Sequence, residues 1–243
     1  MVVFAPAPNV TSPRNTNWLL LPVKPRRIVE VGSGFSSAVM LDTLERVEGS
    51  AALTFIEPHP DRLYSLLSPQ DRPTTTVVAK QVQEVPLALF DELEAQDVLF
   101  IDSSHVCKIG SDVAFLLLRV LPRLKRGVLV HFHDVFYPFT YPDSWIREGR
   151  AWNEALFLRT LLMGNAMFQI VAFNSYAACS FAEVFRDRFP AFLRFVTAKP
   201  GTFPIEWPLI AAFTSRSRSW SRSAPAIASI ARTRFSLRRF IPA

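Results

Sequence analysis

Residues 28–31, Ile28-Val29-Glu30-Val31, form an apolar run that breaks at once into Gly32-Ser33-Gly34, with Ser36 and Ser37 just beyond. Two of the eight glycines in the chain stand in this turn. A strand that ends in a glycine turn and a helix N-terminus brings backbone N–H groups close to a ligand. That arrangement belongs to α/β sheets, so this stretch sets the fold class before any other segment is read.

The rest of the chain repeats the alternation. Strand patterns at residues 27–31, 52–56, 74–79, 97–101, 127–132 and 168–173 alternate with helical patterns at 36–48, 60–67, 112–124 and 152–163. In the first helix Ala38, Leu41, Leu44 and Val47 share one face, and Gly49 ends it. This order predicts a parallel sheet with right-handed helical crossovers. Ligands then bind beyond the carboxyl ends of the strands.

Composition narrows the partners. The net charge is +6, yet seven Arg and no acid fall after residue 212, which leaves about −1 for the body of the chain. The tail, residues 215–243, is expected to be disordered or non-native, the product of a shifted reading frame, because such a composition builds a core poorly. Its functional alternative is an RNA- or phosphate-binding arm. No apolar run approaches the roughly 20 residues of a membrane span, and residues 115–121 read as a core helix. Residues 1–8 are apolar but lack a basic start and contain Pro6 and Pro8, so they make a poor signal peptide. Cys107 and Cys179 give neither a disulfide framework nor metal spacing, and a cytoplasmic setting is expected. Phe181, Phe185, Phe189 and Phe192 recur near helical spacing and either bury a helix face or form a homo-oligomer interface.

Four strand tips carry polar residues directly after apolar runs: Glu30-x-Gly32-x-Gly34, Glu57-Pro58, Asp102-Ser103-Ser104-His105 and His133-Asp134. Glu57, 25 residues after Gly32, is placed to bind two ribose hydroxyls. The rival reading of the turn, a nicotinamide dinucleotide site, needs a third glycine where this chain has Ser37. Asp102 and His105 can converge on one pocket, and an imidazole suits removal of a hydroxyl proton. His131, in mid-strand, reads as a hydrogen-bonded core histidine. Tyr137, Tyr141 and Trp145 either wall an acceptor or pack a lid.

With VEVGSGFSS, FIEPHP, DVLFIDSSHV and HFHDVFYP, residues 26–185 resemble the class I S-adenosylmethionine-dependent methyltransferases, in particular their small-molecule O-methyltransferase branch. The run Trp145-x-x-x-Gly149-Arg150-x-Trp152-Asn153-Glu154 is similar to that family as well. The resemblance implies a Rossmann-like, doubly wound, mostly parallel seven-stranded sheet in three α/β/α layers, with residues 208–214 as the antiparallel strand. It divides the chain into an irregular extension (1–25), the methyltransferase domain (26–214) and the tail. It implies that S-adenosylmethionine is held by Glu30, Gly32, Ser33, Gly34, Ser36, Glu57, Gln83, Glu84, Asp102 and Ser103. His105 becomes the general base, with Asp102 beside it, and the acceptor is a small molecule such as a sugar or secondary metabolite. A divalent metal on Asp102, His133 and Asp134 would complete the family pattern. The imidazole of His133 stands where the family has a carboxylate, and that departs from what Mg²⁺ prefers. A non-catalytic cofactor-binding or interaction module and a tail-recruited RNA methyltransferase are the alternatives. Neither a membrane nor, for the body of the chain, a nucleic acid is expected as a partner.

Overall fold

The structure, a computed structural model, describes residues 24–45, 51–181 and 213–214. Five strands, β1 (Arg27–Val31), β2 (Ala52–Ile56), β3 (Thr75–Val78), β4 (Val98–Ile101) and β5 (Leu129–Phe132), pair in parallel in the order β3-β2-β1-β4-β5. The order reverses between β1 and β4, which makes that pair the switch point where a ligand crevice opens. Two-residue strands extend the sheet beyond β5: β6 (Gln169–Ile170) pairs antiparallel with β7 (Phe213–Thr214), which itself pairs with Val130 of β5. The expected extension at 1–23, the helix end at 46–48, the Phe185, Phe189 and Phe192 face, residues 208–212 and the tail 215–243 lie outside the described residues.

Successive strand side chains point to opposite faces, and both faces are covered. Val29, Val31, Leu99, Ile101, Val130 and Phe132 pack with Val113, Leu116, Val120 and Leu158 on one side. Ile28, Leu53, Phe55, Val98 and Phe100 pack with Met40, Leu41 and Leu63 on the other. The helices responsible are α1 (Phe35–Leu44) and α2 (Asp61–Leu66) below, and α4 (Asp112–Phe115) and α6 (Glu154–Leu162) above. Between them α3 (Ala88–Asp91) and α5 (Asp143–Arg147) are single turns, and α7 (Asn174–Ser180) follows β6. These three were not expected.

The helix expected over 112–124 is not uniform. After α4 the chain widens into a π-turn at Leu116–Val120, where the Leu121 N–H reaches back to the Leu116 carbonyl, and it tightens into a 3₁₀ turn at Leu121–Arg123. Pro122 has no N–H to continue an α-helical ladder, so the ladder changes register before it.

At the lower edge Asp97, buried, accepts the N–H groups of Arg26 (3.1 Å), Arg27 (2.9 Å) and Glu94 (2.9 Å) and so ties the entries of β1 and β4 together. At the upper edge the two strands meet at Gly32. Its φ is +80°, and a Cβ there would lie 1.9 Å from the Asp102 carbonyl oxygen. Gly32→Ala therefore combines left-handed strain with a backbone clash. It is expected to cost at least about 3 kcal/mol in urea unfolding, and a variant as stable as the parent would contradict this packing.

Candidate functional site

The glycine turn places its N–H groups by local chemistry. Gly32 N–H bonds the Ile56 carbonyl at 3.0 Å, and Ser33 N–H donates to Glu57 Oε2 at 3.1 Å. The other oxygen of Glu57 accepts His59 N–H at 2.9 Å. Each carboxylate oxygen thus has one backbone donor and lone pairs to spare. Behind the turn, Gly34 N–H donates to Ser37 Oγ (3.0 Å), and the Ser37 hydroxyl donates to Glu30 Oε2 (2.6 Å). Ser36 also bonds Glu30. Glu30 lies on the α1 face of β1 and is fully buried. Burial pushes its carboxyl up to about 8 despite the two serines. Glu30 Oε1 and Ser33 Oγ are buried with no hydrogen-bond partner among the described residues.

A cavity of about 550 Å³ opens at the switch point, lined by Gly32, Glu57, Gln83, Asp102, Ser103 and Lys108 among others. That volume suits a cofactor-sized ligand. Of the remaining residues the sequence assigned to the cofactor, Glu30 sits under α1, Ser36 lies buried in the first turn of α1, and Ser33 and Gly34 form the turn itself. Glu84 turns back to cap its own 3₁₀ turn by accepting Gln81 N–H at 3.0 Å.

Beyond the cavity lies a cluster centred on His105, which is 4% exposed. Its Nε2 is 3.5 Å from Asp102 Oδ1 and 3.9 Å from Asp134 Oδ2, and its Nδ1 is 2.9 Å from Glu154 Oε2. Burial alone would lower the imidazole pKa. Hydrogen bonds to Asp102 and Glu154, with their charges, outweigh it and raise the value to about 10. Burial likewise works to raise Asp102, but His133 and His105 hold it below the usual range. Asp134 and Glu154 are pushed up, chiefly by burial. The backbone at His105 (φ 59°) and Asp134 (φ 54°) is left-handed, an uncommon state for residues other than glycine.

Asp102, His133 and Asp134, the metal set implied by the resemblance, come together in this cluster. His133 Nε2 is 3.6 Å from Asp134 Oδ1. The His105 imidazole lies between the two carboxylates, and among the described residues no group of three or more His, Cys, Asp or Glu is arranged to hold a metal ion. His131 is buried and stacked on Phe100 at 3.9 Å; burial pushes its pKa well down, so it is neutral. Its Nε2 has no hydrogen-bond partner among the described residues.

The aromatic residues divide. Trp152 lies 4.1 Å from the His105 ring and meets Trp145 edge-on at 4.9 Å. Tyr141 packs on both tryptophans, and the Arg150 guanidinium stacks 4.3 Å over Trp145. Tyr137 instead packs on Phe173 and Tyr176, away from His105. Two residues here were given no site role by the sequence: Glu154, named only as part of the run 145–154 that resembles the family, and Lys108.

Residues 29–135 match a family model described as a methyltransferase domain. These residues are a methyltransferase domain. It is the class that the four strand-tip motifs resemble, and the match spans β1 to the end of the β5 tip, which covers both the cavity and Asp134. No curated protein sequence matches the chain. Among solved structures, the chain is similar to apo CmcI (16% identity, TM-score 0.44, covering 63% of this chain and 59% of that one). It is also similar to the O-methyltransferase TomG of Streptomyces achromogenes, involved in tomaymycin synthesis and solved with SAM (18%, 0.43, 63% and 67%). The SAH-bound methyltransferase PaMTH1 of Podospora anserina is a third (13%, 0.47, 82% and 77%). The chain thus spans about 59% of the length of CmcI. At these scores the likenesses decide nothing, and the assignment stands on the family match. No helix of the described residues is long and apolar enough to cross a membrane.

The site carries a pH signature. Glu30 moves from an ordinary 4.5 to about 8 on folding, and His105 from 6.5 to about 10. Both values are raised, so each group contributes stability that is complete below its unfolded value and lost as pH rises through its folded one. The melting temperature is expected to fall from pH 4.5 to 8 through Glu30 and from 6.5 to 10 through His105. Glu30→Gln is expected to flatten the profile from pH 4.5 to 6.5 and to lessen its slope from 6.5 to 8, where His105 still acts; an unchanged slope there would show that Glu30 folds ionised.

Proposed function

We propose that this domain moves a methyl group from S-adenosylmethionine to a hydroxyl of a small molecule, with Asp102 and His105 handling the hydroxyl proton. The observation that carries the cofactor is Glu57. Its carboxylate faces the cavity with one acceptor position free on each oxygen, the pattern that a vicinal ribose diol requires. The cofactor, when bound, supplies an electrophilic methyl group on a sulfonium.

The chain's own residues supply orientation and proton transfer. Gly32 lets the turn lie against the β4 tip, so Gly32, Glu57 and Asp102 border one cavity. His105 rests as an imidazolium between Asp102, Asp134 and Glu154. Its neutral form, which can take the hydroxyl proton, grows as pH rises toward 10. Tyr141, Trp145 and Trp152 form an apolar wall beside it, suited to the ring of a phenol or sugar acceptor. The remaining organisation belongs to the same reading: residues 26–214 as the domain, 1–25 and 215–243 outside it, and β6 and β7 as the last positions of a seven-stranded sheet.

Two measurements test it. Calorimetry with S-adenosylhomocysteine is expected to show binding that Glu57→Ala weakens by roughly 10- to 100-fold, the worth of hydrogen bonds to a charged group. No heat and no thermal shift at millimolar ligand would remove the cofactor. Release of S-adenosylhomocysteine over a panel of phenols and sugars is expected to accelerate from pH 7 to 9, with His105→Gln slower by roughly 10²–10⁴-fold and without that acceleration. A variant with the parent rate and profile would end the role of His105.

A further inference from the structure

The segment Trp152-Asn153-Glu154 is bound to the β4 tip far more tightly than chain continuity requires. The His105 carbonyl accepts two N–H groups, from Asn153 at 3.0 Å and Glu154 at 3.2 Å. The Asn153 side chain closes a two-point clamp on Cys107, accepting its N–H at 2.6 Å and donating to its carbonyl at 3.2 Å. Glu154 is fully buried at the first turn of α6, where its Oε2 meets His105 Nδ1 at 2.9 Å and its Oε1 accepts the Ser103 hydroxyl at 3.0 Å.

Burying a carboxylate is costly unless partners recover the loss, and an apolar residue of similar size commonly serves stability as well or better. The neighbours of Glu154 on α6, Ala155 and Leu158, are fully buried in the apolar core. An acid in the first turn also suits the helix dipole, but that role predicts contact with the helix's own N–H groups. Both oxygens of Glu154 point instead to Ser103 and His105, and Asn153, at the cap position, makes no side-chain cap bond. The carboxylate is arranged for the imidazole.

We infer that Glu154 is the positioning residue of His105: by engaging Nδ1 it turns Nε2 toward Asp102 and Asp134, on the side where the acceptor hydroxyl has to arrive. The clamp from Asn153 fixes the left-handed backbone at position 105, and Trp152 closes over the ring. With Nδ1 occupied, one ring nitrogen remains for chemistry, and its direction no longer depends on side-chain rotation. The inference rests on the reading of His105 as the proton-handling group, and it adds a residue 49 positions away in sequence.

The experiment uses full-length protein labelled with ¹⁵N-histidine, one of four histidines being the target. The wild type is expected to show a low-field, slowly exchanging imidazole N–H proton that His105→Gln abolishes, as a charge-assisted bond to a buried carboxylate requires. Glu154→Gln, nearly isosteric, is expected to move that signal upfield while S-adenosylhomocysteine binds by calorimetry as in the parent. Ser103→Ala, which removes only the hydroxyl on the far oxygen, is expected to shift it less. A signal that stays in place in folded Glu154→Gln overturns the assignment; if that variant shows no cooperative melt, an unmoved signal in Ser103→Ala does so. Loss of S-adenosylhomocysteine binding in folded Glu154→Gln also overturns it, by making Glu154 part of the cofactor wall. A wild type that binds no S-adenosylhomocysteine yet shows the coupled signal removes the cofactor reading and supports the positioning of His105.

Discussion

The contact between Gly32 and the Asp102 backbone carries the architecture of the site. β1 and β4 are neighbours across the point where the strand order reverses, and no side chain can be inserted where their tips meet. That approach brings Ser33 N–H within reach of Glu57 and sets Asp102 on the same cavity wall. At the opposite end of the same strands Asp97 holds their entries together. The pair is therefore fixed at both ends, and the apolar layers on its two faces keep it flat against the helices.

The second half of the site has a different logic. Three carboxylates, Asp102, Asp134 and Glu154, converge on one imidazole that is itself nearly closed to water. Each alone would be expensive there; an imidazolium among them offsets that cost. The order this requires comes from outside the tip itself, through the hydrogen bonds of Asn153 and the aromatic cover of Trp152, Trp145 and Tyr141.

Much of this was legible in the sequence because strand tips announce themselves. Apolar runs that stop at Glu30, Glu57, Asp102 and His133 gave the sheet, its crossovers and the edge on which to look. A parallel sheet buried on both faces leaves its polar residues at the ends. The pairing of Asp102 with His105 followed from their spacing. The run ending in Glu154 was recognisable, but its contact with His105 was not, since an acid in a first helical turn has a sufficient local explanation and this contact spans 49 residues. The π-turn before Pro122 was hidden for the opposite reason: the apolar pattern continues unchanged while the hydrogen-bond ladder shifts beneath it. Gln83 and Glu84 could not be separated without knowing that Glu84 caps its own turn.

The left-handed backbone at His105 and Asp134 has a consequence for how such a chain can drift. Residues other than glycine held in that region cost the fold of order 1–3 kcal/mol each. Glycine at either position would relieve the strain, and asparagine tolerates it better than most residues. At His105 that gain is outweighed, because removing the imidazolium would leave the buried Glu154 and its neighbour Asp102 without their cation. The two positions therefore drift unequally: the backbone alone resists the side chain at Asp134, while at His105 the surrounding carboxylates hold it in place.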